Sequence, residues 1–230
     1  MPGTIDLTFV LEMIGTVAFA LSGAMVAIQK RLDLLGILVL GITTAVGGGM
    51  IRDLIIGVHP PMMFVKPVYV VVSAIFILIL FLIIKVNHSS PKFLESALYE
   101  TLFNLMDAIG LGVFTVVGVN SVMNNDMNHM LFLKIFLGVI TGVGGGLIRD
   151  MMANETPGIL RKHVYACASI AGAVCYIILY DWLRSGTAMV LSVILVVVIR
   201  VLAKHYEWNQ PKALSEDMRE FRYERKCKRE

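Results

Sequence analysis

Gly47-Gly48-Gly49-Met50-Ile51-Arg52-Asp53 lies inside one apolar stretch, and Gly144-Gly145-Gly146-Leu147-Ile148-Arg149-Asp150 lies inside another, 97 residues later. Between Leu40 and Asp53, 10 of 14 positions are identical at that offset, and Pro60 and Pro157 obey it too. The chain is therefore two related halves, each with a glycine triplet and an Arg-Asp pair embedded in apolar sequence.

Composition fixes the solvent. The chain is 57% hydrophobic and only 16% charged, with a mean hydropathy of +0.77, far above a soluble domain. Its 230 residues accommodate about seven membrane crossings of roughly 20 residues each. Most of the cations behind the net charge of +3 sit in loops and in the tail, which argues against nucleic acid as a partner. Three cysteines give no disulfide framework. No basic region precedes the first apolar stretch, so residues 1–28 do not read as a cleaved signal peptide.

Hydropathy divides the chain into spans at roughly Leu7–Ile28, Leu34–Ile56, Pro67–Ile84, Leu98–Val119, Leu131–Ala153, His163–Tyr180 and Gly186–Ala203. All are expected to be helices, because an open sheet cannot satisfy its backbone in lipid. Residues 1–92 hold the first three spans, 93–183 the next three, 184–204 the seventh, and 205–230 a tail. An odd number of crossings per half makes the second half enter from the opposite side. The expected fold is an all-α membrane protein of seven transmembrane helices: two inverted three-helix repeats and an added seventh helix. With the N-terminus outside, inner loops carry Lys30, Arg31, Lys85, Lys92, Arg161 and Lys162, followed by Arg200 and Lys204, and outer loops only Lys66 and Arg184. That bias places the C-terminus in the cytoplasm. The tail, acid-first from Ser215, suits either a short exposed helix or a frayed end.

Three consecutive glycines are a weak point in a helix, each costing about 1 kcal/mol relative to Ala in water. The sequence thus predicts that helices two and five break at Gly47–Gly49 and Gly144–Gly146, freeing carbonyls that favour a cation. Close packing through small residues is the alternative. Arg52 and Arg149, with Asp53 and Asp150, then fall near opposite ends as candidate gates or mouth charges, against interfacial snorkelling or local ion pairing. Lys134 is a further candidate mouth charge. Thr44 and Thr141 precede each triplet by about one turn and either line a pore or bond back to their own helix. Asp107 is a cation site in a wet cavity or the buried partner of an Arg or Lys. Ser22 is a candidate lining residue, though packing is its ordinary role. Glu12 and Glu100 read as interfacial. The five histidines show no ligand spacing, and no nucleophile triad or phosphate loop is present. The chain does not read as an enzyme.

The doubled Gly-Gly-Gly-x-Ile-Arg-Asp pattern, the Ala18-Phe19-Ala20-Leu21-Ser22-Gly23 stretch and the Asp107-Ala108-Ile109-Gly110-Leu111 stretch resemble the prokaryotic branch of the trimeric intracellular cation channel family. The resemblance spans roughly Leu7 to Ala203. It implies seven helices, kinked second and fifth helices, a homotrimer, and a separate cation pore in each protomer. It implies residence in a prokaryotic inner membrane among lipids, with K⁺ or Na⁺ as the transported ion and no cofactor beyond a possible bound lipid. The same repeat is also labelled a glycine-transporter domain. The expectation is a monovalent cation channel; the alternatives are a secondary transporter of a small zwitterion such as glycine and, more weakly, a membrane scaffold.

Overall fold

The computed structural model describes residues 7–86, 96–124, 128–161, 164–183, 185–206 and 208. Within them run α1 (Leu7–Gln29), α2 (Leu34–Ile55), α3 (Met62–Val65), α4 (Val68–Val86), α5 (Ala97–Met123), α6 (Leu131–Met152), α7 (Gly158–Arg161), α8 (Val164–Tyr180) and α9 (Ser185–His205), with no strand. Among the described helices, six are long and apolar enough to cross a membrane; α8, of 17 residues, is apolar but shorter. Every stretch read as a span is helical, with ends close to those expected. The tail helix expected from Ser215, Cys227, and the loop cations Lys92, Lys162 and Arg184 lie outside the described residues, as does the side chain of Arg161.

Local chemistry sets several ends. The Asp33 carboxylate accepts the Gly36 amide at 2.8 Å and caps α2, and Ser96 caps α5 through the Tyr99 amide. The one-turn helices α3 and α7 have no periodicity to announce them. Each follows proline, Pro60-Pro61 and Pro157, and the first amide of each donates to an aspartate of the doubled motif, as described below.

Connections of a few residues make successive long helices antiparallel. Glu12, Arg52 and Tyr69 therefore meet at one end of the bundle, where Leu7 also lies beneath Gly186. The opposite end is tied by the Tyr99 hydroxyl donating to the Met25 carbonyl (2.8 Å) and by Lys30–Glu155 (2.8 Å). At the centre, the rings of Phe19 in α1 and Phe114 in α5 stack at 5.3 Å. Gly110 leaves room for Phe19, and Gly15 leaves room for Val113 and Phe114. On α4, Val71, Ile75, Ile79 and Leu82 are exposed about one turn apart, an apolar face for lipid or a neighbouring copy.

The expected breaks are absent: α2 and α6 are helical without interruption through both glycine triplets. The glycines serve the crossing of these two helices instead. Successive residues of a helix point about 100° apart, so three glycines clear three faces. The first of each triplet faces an isoleucine of the other helix. A Cβ at Gly47 would lie 2.7 Å from Ile148 Cδ1, and one at Gly144 would lie 3.3 Å from Ile51 Cδ1. The second lies against opposing backbone: a Cβ on Gly48 would collide with the Thr141 carbonyl oxygen, and one on Gly145 with the Thr44 carbonyl oxygen. The third faces polar groups, with Gly49 toward Arg52 and Gly146 toward Tyr165, Arg149 and Asp107. Close backbone contact between the two helices stabilises this arrangement.

Gly48→Ala and Gly145→Ala should therefore lower stability by about 1–3 kcal/mol, because the obstructing atom is backbone and cannot step aside. A Cβ on Gly49 meets nothing nearer than Arg52 Nη2 at 4.0 Å, so Gly49→Ala should be near neutral. Thermal unfolding of the three purified variants in one detergent separates these outcomes.

Candidate functional site

Two buried clusters of charge flank the glycine crossing, built from corresponding parts of the two halves. Near the Leu7 end, Arg52 Nε donates to Asp53 Oδ1 at 2.9 Å, and Arg52 Nη1 reaches Glu12 Oε1 at 3.4 Å. The Tyr69 hydroxyl donates to Glu12 Oε2. Asp53 Oδ2 accepts the first amide of α3, Met62 N, at 2.8 Å. Toward the other end, Arg149 Nε donates to Asp150 Oδ1 at 2.9 Å, and Arg149 Nη1 to Asp107 Oδ1 at 2.9 Å. The Tyr165 hydroxyl donates to Asp107 Oδ1 at 3.2 Å, and Asp150 Oδ2 accepts the first amide of α7, Gly158 N, at 2.7 Å. Each cluster thus repeats one wiring: arginine to its neighbouring aspartate, arginine to a carboxylate on the first helix of its half, tyrosine to that carboxylate, aspartate to a short helix.

The clusters differ in two ways. Arg200 of α9 enters only the second, with Nη2 at 2.8 Å from Asp107 Oδ2 and its guanidinium 4.3 Å above the Tyr165 ring. Ser22 accepts from Arg149 Nη1 at 3.0 Å there as well. Solvent access differs too. Asp107 and Arg149 are 2% and 3% exposed, whereas the Glu12 side chain is 16% exposed. Glu12, Arg52, Asp53 and Tyr69 border a cavity with about 30 Å³ of room for water, shared with Thr16, Gly49 and Met63. That volume holds one or two water molecules.

The structure places the sequence candidates as follows. Arg52 and Arg149 lie at opposite ends, but neither is an open mouth charge beside a broken helix. Both are buried and tied to carboxylates. Asp53 and Asp150 are their immediate partners. Asp107 sits between two guanidiniums, as a buried partner of arginine. The Thr44 and Thr141 hydroxyls bond back to Leu40 O and Leu137 O, both at 2.6 Å. Ser22 is a ligand of Arg149 as well as a packing residue. Lys134 reaches neither cluster; it lies in a depression at the Leu7 end with His129, Tyr180 and Asp181. Among the described residues, no group of three or more His, Cys, Asp or Glu is placed to hold a metal ion.

Sequence reasoning missed the roles of Glu12, Tyr69, Tyr165 and Arg200: it read Glu12 as interfacial and counted Arg200 among the inner cations, whereas Glu12 pairs with Arg52 and Arg200 is buried against Asp107. A signal for the first existed. Glu12, Gly15, Phe19 and Gly23 recur as Asp107, Gly110, Phe114 and Gly118, 95 residues on rather than 97. Two extra residues between the first and second helices of the later half hide this behind the offset of the glycine motif. Arg200 has no counterpart in the first half and so no repeat to betray it.

Removing a buried charge strands its partners, at a typical cost of 3–5 kcal/mol. Asp107→Asn should cost that much, since it strands Arg149 and Arg200 together. Glu12→Gln, at a wetter site with one arginine, should cost clearly less. Paired denaturation curves on the two variants and the parent chain check the ranking.

The comparisons agree with this architecture. The family model described as Glycine transporter matches the chain twice, over residues 9–85 and 104–181. The UPF0126 inner membrane protein YadS of Escherichia coli is 36% identical over 208 residues, covering 89% of this chain and 95% of that protein. The UPF0126 membrane protein YvgT of Bacillus subtilis is 36% identical over 201 residues, covering 87% and 94%. A crystal structure of the trimeric intracellular cation channel orthologue from Rhodobacter sphaeroides superposes with a TM-score of 0.78 at 28% identity, covering 89% of this chain and all of that one. A TRIC cation channel structure described in terms of conductance gives a TM-score of 0.73 at 36% identity, covering 90% and 98%. A prokaryotic TRIC channel in 0.5 M KCl gives 0.79 at 26%, covering 88% and 98%. These are channels rather than enzymes. The chain is an integral membrane protein of the trimeric intracellular cation channel family, the family that the Glycine transporter domain defines.

Proposed function

We propose that the protein is a cation channel of the inner membrane, assembled as a homotrimer with one conduction path inside each protomer. The path runs from the cavity beside Glu12 and Gly49, past the Gly48–Gly145 crossing, to the Asp107 cluster. The observation that carries this reading is the pair of like-wired clusters, one on each side of a crossing made thin by glycine. Charged groups inside apolar spans are costly and mark ion pathways. The superposition on cation channels at 26–36% identity supports the same conclusion. Carboxylates and hydroxyls, rather than a stack of carbonyls, favour weak discrimination between K⁺ and Na⁺.

In this reading α8 also crosses, as the sixth of seven spans, α9 is the seventh, and α1 to α4 and α5 to α8 are inverted repeats. The reciprocal contacts of Gly48 with Thr141 and Gly145 with Thr44, together with the double family match, support that symmetry. The loop-cation bias supports an outer N-terminus and a cytoplasmic C-terminus. The description of the matching family model favours a second reading, a carrier for a small zwitterion such as glycine.

Purified protein in planar bilayers should give unitary currents with K⁺ and with Na⁺, and reversal potentials close to zero when the two ions are opposed. Saturable glycine counterflow without current steps would establish the carrier instead.

A further inference from the structure

The two clusters differ by Ser22 and Arg200, which enter only the second, and of these Arg200 alone changes the charge. Around Glu12 the described ionic side chains are Arg52, Asp53 and Glu12, with formal charges of one plus and two minus. Around Asp107 they are Arg149, Asp150, Asp107 and Arg200, two plus and two minus. Counted over these described side chains, the first cluster carries one net negative charge and the second none. The first borders a cavity with room for water; the second is almost fully buried.

Arg200 belongs to α9, outside the two halves that make up the repeat. It is held by Asp107 and by the ring of Tyr165, yet its buried Nε has no hydrogen-bond partner. A buried guanidinium nitrogen without a partner is uncommon and calls for a reason beyond packing. What its position achieves is the cancellation of the charge on Asp107.

We propose that Arg200 makes the conduction path electrically lopsided, so that cations entering from the Glu12 end pass more readily than cations entering from the Asp107 end. This rests on the channel reading above. A net negative charge beside a wet cavity raises the local cation concentration and the rate of entry. A neutral cluster at the other end does neither. Current through each protomer then rectifies, with the favoured direction running from Glu12 to Asp107, and Arg200 is the residue that sets it.

The test uses full-length protein, oriented in planar bilayers by a side-specific tag, with equal KCl on both sides. Currents are compared at equal and opposite voltages. The parent channel is expected to rectify roughly two- to fivefold at low salt. Arg200→Gln is expected to bring the ratio toward one by raising the weaker direction. Arg200→Lys, which keeps the charge, is expected to keep the ratio. Glu12→Gln removes the net charge at the other end and is expected to reach the same ratio by lowering the stronger direction, so the inference stays testable if Arg200→Gln fails to fold. A parent channel with a ratio near one overturns the proposal. So does an Arg200→Gln channel that still rectifies, or whose current falls equally in both directions. A parent protein with no unitary current under any condition overturns the channel reading itself, and this inference with it.

Discussion

The carbonyl oxygens of Thr44 and Thr141 each rest against a glycine of the opposite helix, and the rest of the bundle is arranged around that contact. In a membrane, helices gain nothing by hiding apolar surface from lipid tails. They associate through close packing and polar contacts. Glycine permits the closest approach, and three in succession clear three faces of the helix at once. One face admits an isoleucine from the partner, one admits its backbone, and the third opens toward a cluster of charge. This accounts for a triplet where a single small residue would satisfy ordinary packing. The same contact brings Arg52 and Arg149 to fixed places on either side of the crossing.

The charged clusters follow from that geometry. An arginine one turn beyond the crossing cannot reach water easily, so it must be matched where it stands. Each half supplies the same answer: the next aspartate in sequence, a carboxylate from its first helix, and a tyrosine from the helix after its short turn. The aspartates do a second task by holding the first amide of α3 or α7. The polar network and the chain reversal after each crossing are therefore one structure. Buried pairs of this kind add little net stability but are expensive to break. They fix the position of the polar path more than they strengthen the fold.

Much of the fold was legible in the sequence because its strongest signals are long-range in hydropathy and exact in repetition. The helices lie where the apolar runs lie, and the doubled motif marked both glycine triplets that meet at the crossing. The glycines misled on one point. Propensity measured in water marks Gly47–Gly49 as a break, but inside a bundle the backbone contact it enables outweighs that preference, and the helix continues. Asp107 was open between cation ligand and ion-pair partner because its partners lie 42 and 93 residues away, on other helices. Glu12 was assigned to the interface because it stands close to a span end. Only the 95-residue offset connects it to Asp107. Arg200 and the two tyrosines are legible only in three dimensions.

The central claim is that each protomer carries its own path past the glycine crossing. Gly49 is the position to probe, since it borders the cavity at the Glu12 cluster and its nearest obstruction is the tip of Arg52. In a background with Cys167, Cys175 and Cys227 replaced by alanine, Gly49→Cys would be exposed to a positively charged thiol reagent during single-trimer recording. The account predicts that current disappears in three equal, separate steps. Loss of all current in one step, or no loss after labelling is verified by mass, would contradict it.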